Sequence, residues 1–318
     1  MSLLLWLKNL QKGITSLLPR SGCGLKEGIL QRDPVCMPVL GGVIGDYVAH
    51  PFLYTGMNST SFIYRPEKCS PGNCSIFLLS TAISILSGLP YRDVLADWSD
   101  LLLPSPEGGG AMAGWLLRPS PIKGHGQLGM LSVAGLASSA IFECQNDAMD
   151  WVEGFCAQFT DERDIVMLIK IVTVVGLALK SGQSPKTLPR IVRSSFGIEV
   201  EDYKEIWCRG GIAVGVNPIE YVLGAISCIK DSDNYEDIVR RSVSLGGNTQ
   251  LSACLAGGFA GFVFRPTEHL VSDFMEGISK GNSRIGGALC ACPDSFVGNN
   301  KLHRLPICPG AVAASLEI

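Results

Sequence analysis

Apolar residues recur at helical spacing along most of the chain, and no convincing stretch alternates with the period of two that a half-buried strand requires. The spacing predicts helices over Val35–Ala49, Cys74–Ser87, Tyr91–Leu103, Met130–Glu143, Asn146–Phe159 and Asp164–Ser181. It predicts further helices over Leu188–Ser194, Asp202–Trp207, Ile219–Ile229, Tyr235–Leu245 and Gln250–Phe264. Gly88 and Pro90 end the second of these, and Gly182 stands where a helix C-terminal cap belongs. Pro104–Gly129 is rich in Gly and Pro and reads as a long loop. The expectation is an all-α fold with one helical domain over residues 35–265. Residues 1–34 form an N-terminal extension to it, and residues 266–318 a C-terminal segment packed on it.

Composition narrows the function classes. Glycine is unusually frequent at 37 of 318 residues and has no collagen-like period, which suggests close helix packing and many tight turns. Charged residues are only 17%, and hydrophobic residues are 47%, so general disorder is excluded. A net charge of -3 argues against nucleic acid as a partner, because phosphate recognition needs a basic face.

No membrane span is expected. The longest apolar run, Ile165–Leu179, is interrupted by Lys170 and follows an acidic stretch, which fits a buried core helix. Met1–Lys26 contains no Asp or Glu, and its apolar residues precede its basic ones, the reverse of a secretory signal. It reads as an amphipathic helix or tail docked on the domain, and the expected location is the cytoplasm, with mitochondrial import left open by the acid-free start. Twelve cysteines form no CxxC pair, so they are expected as free thiols, with Cys144, Cys156, Cys228 and Cys254 serving as small hydrophobes.

Several familiar patterns do not hold up in context. Gly124-His125-Gly126-Gln127-Leu128-Gly129 matches GxGxxG, but Arg118-Pro119-Ser120-Pro121 precedes it where a dinucleotide site needs a strand. Asp231-Ser232-Asp233-Asn234 lacks the glycine and terminal glutamate of a calcium loop and reads as a helix cap. The four histidines, at 50, 125, 269 and 303, are scattered.

Three stretches carry more information. They are Gly41-Gly42-Val43-Ile44-Gly45-Asp46, Pro71-Gly72-Asn73-Cys74 opening an apolar helix, and Gly246-Gly247-Asn248-Thr249-Gln250 leading into Leu255-Ala256-Gly257-Gly258-Phe259-Ala260-Gly261. In order and spacing, from Val39 to Arg265, the chain resembles the ADP-ribosylglycohydrolase family. The resemblance implies a compact all-α domain around a central cleft. In the family that cleft holds two magnesium ions between a Thr-Asp-Asp-Thr motif and a Gly-Gly-Asp-Thr-Asp-Thr motif.

At the matching positions this chain has Gly72, Asn73, Asn248 and Gln250, so all four carboxylates are replaced while the glycine turns are kept. Magnesium depends on anionic oxygen ligands, and Asp46 is the one acid left in these motifs. The resemblance therefore implies a degenerate member, a pseudoenzyme that has lost the binuclear magnesium site and needs no cofactor. Its role would be structural, as in the larger J-crystallins of jellyfish lenses, which resemble the same family, or it would bind a ligand. The candidate cleft residues are Asp46, Asn73, Gly246, Gly247, Asn248, Thr249 and Gln250, and the partners would be ADP-ribose or an ADP-ribosylated protein. The alternative is a hydrolase or lyase on ADP-ribosyl linkages, either metal-independent with Asp46 as general base or with magnesium retained. Asp46 has a second reading as a residue that caps or braces helix packing.

Overall fold

A computed structural model describes residues 37–281 other than 57, 103–108, 120, 123–128 and 161, together with residue 285. The N-terminal extension, most of the GxGxxG stretch, residues 286–318 and the cysteines at 23, 36, 290, 292 and 308 lie outside the described residues. The regular structure of the described residues is helical, with no strand among them. The helices are α1 (Met37–Ala49), α2 (Asn73–Ser87), α3 (Tyr91–Asp97), α4 (Gly109–Leu117), α5 (Val133–Ile141), α6 (Gln145–Cys156) and α7 (Arg163–Lys180). They continue with α8 (Leu188–Phe196), α9 (Tyr203–Cys208), α10 (Ile219–Lys230), α11 (Tyr235–Ser244), α12 (Thr249–Gly261) and α13 (Glu268–Gly281).

The fold is built on one helix pair. Every residue of α1 and of α12 is buried. A Cβ at Gly41 would lie 2.3 Å from the Gly257 carbonyl oxygen, and one at Gly45 would lie 2.0 Å from that of Ala253. A Cβ at Gly261 would meet the Met37 carbonyl oxygen at 2.4 Å. At the other end of the pair the Thr249 hydroxyl donates to the Ala49 carbonyl at 3.3 Å. These contacts make α1 and α12 antiparallel, with Met37 opposite Gly261, Gly41 opposite Gly257, Gly45 opposite Ala253 and Ala49 opposite Thr249. Small residues four apart on both helices let the backbones touch, which larger side chains would prevent. Tyr235 of α11 closes the seam by donating to the Gly41 carbonyl at 2.6 Å.

The other helices pack round this pair. The apolar run expected as a core helix is α7, which buries Ile165, Leu168, Ile169, Ile171, Val172, Val175 and Leu179. Its Gly176 and α5's Gly135 allow a second close approach, fastened by a 3.1 Å hydrogen bond between Ser138 and Thr173. Lys180, at the end of α7, donates to the carbonyls of Ala140 and Phe142, the orphan acceptors at the end of α5. Among the described residues no helix is long and apolar enough to cross a membrane. Helix α13 buries Leu270, Val271, Phe274 and Ile278, and Phe274 meets Tyr47 of α1 edge-on at 5.2 Å.

Two expectations need correction. The segment read as one loop from Pro104 to Gly129 contains α4. Met112 and Trp115 of that helix are buried, Trp115 packs on Phe159 at 4.4 Å, and its indole N–H donates to the Gln158 carbonyl at 3.1 Å. Burial of two large side chains thus overrides the weak helix preference of the glycines. Cys144, expected as a packed hydrophobe, is exposed at the N-cap of α6.

The helix seam sets a clear test. Gly45→Ala places a methyl against a backbone carbonyl that cannot rotate away, and it should cost about 2–3 kcal/mol or more in urea denaturation. Gly154→Ala, in α6 with open space round the new methyl, should instead stabilise by about 0.5–1 kcal/mol.

Candidate functional site

The residues singled out from sequence converge where three chain segments meet. Antiparallel pairing sets the N-terminus of α12 beside the C-terminal half of α1, where Asp46 lies. The N-terminus of α2 comes to the same place, because the Gly72 N–H donates to Asp46 Oδ2 at 2.7 Å. Asp46, Asn73, Asn248, Thr249 and Gln250 are each no more than 5% exposed, and Gly246 and Gly247 are buried.

Asp46 serves as a helix cap in trans. Gly72 is the N-cap residue of α2 and has no side chain to cap with. Asp46 Oδ2 fills that role from α1, accepting from Gly72 N–H, from Ser75 N–H at 2.9 Å and from the Ser75 hydroxyl at 2.5 Å. Ser75 was not singled out from sequence; a serine three positions after a glycine N-cap was the available signal. Asp46 Oδ1 is buried and has no partner. Burial pushes the Asp46 carboxyl up to about 6, although its hydrogen bonds to Ser75 and Gly72 and the nearby His50 pull the other way.

The two amide side chains opposite Asp46 are oriented by neighbours. Asn248 is the N-cap of α12, and its Oδ1 accepts from Leu251 N–H at 3.0 Å, which leaves its Nδ2 buried and unpartnered. Gln250 reaches across to α2: a Cβ at Gly72 would lie 2.2 Å from Gln250 Nε2, which is also unpartnered. The Gln250 amide therefore occupies the space that a side chain at position 72 would need. Cys74 and Cys254, from α2 and α12, are buried side by side close by, with the Cys254 thiol raised by burial. Sequence reasoning treated Cys254 as a lone hydrophobe and did not pair it with Cys74.

The glycine turn is required by its backbone. Gly246 and Gly247 have φ of +75° and +63°, in the left-handed region that favours glycine. A Cβ at Gly247 would also meet the Tyr221 ring at 2.7 Å and the Ile212 carbonyl at 2.9 Å. Tyr54, itself at φ +59°, donates its N–H to the Gly247 carbonyl at 3.3 Å, so the segment after α1 leans on this turn.

The donor chemistry does not fit a pair of magnesium ions. Of the four positions that the sequence resemblance matches to metal-binding acids, one is glycine and three are neutral amides. Asp46, the remaining acid, already spends one oxygen on three donors. Among the described residues, no three His, Cys, Asp or Glu side chains come together as a metal-binding group.

Comparison with solved structures gives the fold. The chain superposes on a structure described as an ADP-ribosylglycohydrolase-related protein complex with a TM-score of 0.56 and 14% identity, covering 82% of this chain and 98% of the other. No protein-family model matches the sequence, and no curated protein matches it. The fold is thus an all-α ADP-ribosylglycohydrolase-like one.

Two expected outcomes test the site. Folding raises the Asp46 pKa from 3.8 to about 6, so its contribution to stability is full below pH 4 and is lost as pH rises through 6. Asp46→Asn keeps an acceptor for α2 and does not titrate. Its stability relative to the wild type should rise by roughly 3 kcal/mol between pH 4 and pH 8 in denaturant titrations. Asp46→Ala should destabilise at both pH values, because it strands the three donors. Separately, Gly72→Ala should destabilise the wild type and do less harm in a Gln250→Ala background, a coupling read from a double-mutant cycle.

Proposed function

We propose that this chain is a catalytically degenerate protein on the ADP-ribosylglycohydrolase fold, with a structural role in place of the family's metal-dependent hydrolysis. The observation that carries this reading is the use of Asp46. The remaining acid of the motifs caps a helix, while Gln250 fills the space over Gly72 where the family has a carboxylate. A magnesium pair needs several anionic oxygens to offset its dehydration, and neutral amides do not supply them. The complete burial of Asp46, Asn248 and Thr249 favours a structural role over recognition of a ligand as large as ADP-ribose. The lens-crystallin role raised by the sequence is one concrete form, supported by the low charge and the backbone-to-backbone helix packing.

One observation favours the metal-independent enzyme as a second reading. A carboxyl raised to about 6 lies in a range useful for proton transfer near neutral pH. Against this, Asp46 Oδ2 is fully engaged and the side chain is 0% exposed, so a substrate hydroxyl has no route to it without local opening.

Thermal denaturation of the full chain with ADP-ribose, with and without magnesium, separates these readings. The structural reading expects no shift of the melting temperature in either condition and no release of ADP-ribose from a modified protein. Magnesium-dependent hydrolysis would overturn it. A shift with ADP-ribose alone would move the assignment to a ligand-binding protein, and metal-free turnover lost in Asp46→Asn would move it to the enzyme.

A further inference from the structure

Two thiols meet between the helices of the junction, and the functional reading uses neither. Cys74 is the second residue of α2, and Cys254 is the sixth of α12. Both side chains are 0% exposed, and the Cys74 thiol hydrogen-bonds the Cys254 sulfur. Helix α1 shows why they meet. The Cys254 backbone N lies 3.3 Å from the place of a Cβ on Gly45, and its carbonyl oxygen 3.2 Å from that of a Cβ on Gly42. Leu78, one turn after Cys74 on α2, comes within 2.7 Å of the same Gly42 position. Ser75, the neighbour of Cys74, is tied to Asp46 through its N–H and its hydroxyl. Helices α2 and α12 therefore flank one stretch of α1, from Gly42 to Asp46, and the two sulfurs face each other between them.

The backbones that carry the pair are fixed. The first turn of α2 is pinned by Asp46, and α12 is pinned by the contact of Ala253 with Gly45 in the seam. Cysteines whose side chains point apart cannot be bridged without backbone movement, and these two already touch. The other thiols differ. Cys69 gives its thiol to the Arg65 carbonyl at 3.2 Å, and Cys144 and Cys208 are exposed on the surface.

We propose that Cys74 and Cys254 are a redox latch: hydrogen peroxide joins them in a reversible disulfide that ties the start of α2 to α12. One thiol attacks the peroxide O–O bond, which gives a sulfenic acid and releases water. The second sulfur attacks the sulfenic sulfur, the S–S bond forms and a second water leaves. The two thiols lose two electrons in all, and the peroxide takes them up as it becomes water. Burial sets the rate. It shields both sulfurs and raises the Cys254 thiol, which disfavours the reactive thiolate. Oxidation therefore waits for the first turn of α2 to loosen and is slower than at the exposed Cys144 and Cys208. Once one sulfur is a sulfenic acid, the other is in contact with it, so the disulfide forms before a second peroxide arrives. The latch does not rest on the functional reading above, since an enzyme and a structural protein would carry it alike.

The experiment treats the full, reduced, folded chain with hydrogen peroxide, blocks the remaining thiols with an alkylating agent and maps the peptides without reductant by mass spectrometry. The expected product is the Cys74 peptide joined to the Cys254 peptide, lighter by two hydrogens than the separate pair and split again by dithiothreitol. The joined chain should melt roughly 5 °C or more above the reduced one, because the cross-link closes a long loop in the unfolded chain. Cys254→Ser should abolish both the joined peptide and the gain in melting temperature. Three results on the wild type would overturn the latch: Cys74 and Cys254 still alkylated after Cys144 and Cys208 are oxidised, either residue joined to a different cysteine or carried on to sulfinic acid, or a joined chain that melts no higher. All three are read without the variant, so they hold even where the Cys254→Ser chain fails to fold.

Discussion

The direct contact of two helix backbones is the constraint on which the rest of the structure depends. Gly41, Gly45, Gly257 and Gly261 are spaced so that α1 and α12 touch along their length, and no side chain fits at these four positions. This explains why a chain with so much glycine folds as a helical protein. In an isolated helix each glycine is unfavourable by up to about 1 kcal/mol relative to alanine. Here the close seam returns that loss as dispersion contacts and as burial of both helices on all sides. The seam also fixes the site: once the register is set, Asp46 must lie next to the first turn of α12.

The site itself is a junction of helix ends. Asp46 is wholly buried, and burial raises its carboxyl although its hydrogen bonds and the nearby His50 oppose the shift. What holds it in place is the N-terminus of α2, through two backbone N–H groups and the Ser75 hydroxyl. Gln250 and Gly72 are complementary in the same way: the larger side chain on α12 occupies the space left by the absent one on α2. Gly72 and Gln250 therefore form a matched pair, in which the missing side chain on one helix is answered by a long neutral one on the other.

Much of this was legible in the sequence, for identifiable reasons. The long helices α2, α7, α10 and α11 have strong apolar periodicity and clear caps, such as Asn234 accepting from Asp237 N–H at 2.9 Å, and they lie close to their expected spans. Helix α4 was not legible, because its order comes from Trp115 and Met112 reaching distant partners. The convergence of Asp46, Gly72 and Gln250 followed from family resemblance and could not be read from periodicity, since these residues are far apart in the chain. The in-trans cap and the filling of the space over Gly72 needed atomic positions. Nothing in the spacing of residues distinguishes a carboxylate that faces a cleft from one that faces a helix end.

The antiparallel seam has a consequence for how the chain is made. Tyr235 reaches back to Gly41 across 194 residues, and Thr249 reaches Ala49 across 200. The central pair thus joins segments near opposite ends of the described chain. During synthesis α1 leaves the ribosome long before α12 exists, and its largely apolar, glycine-lined surface must wait without its mate. Closing so long a loop precedes any reward from the seam, so the entropy of loop closure weighs on this contact although the helices themselves are local.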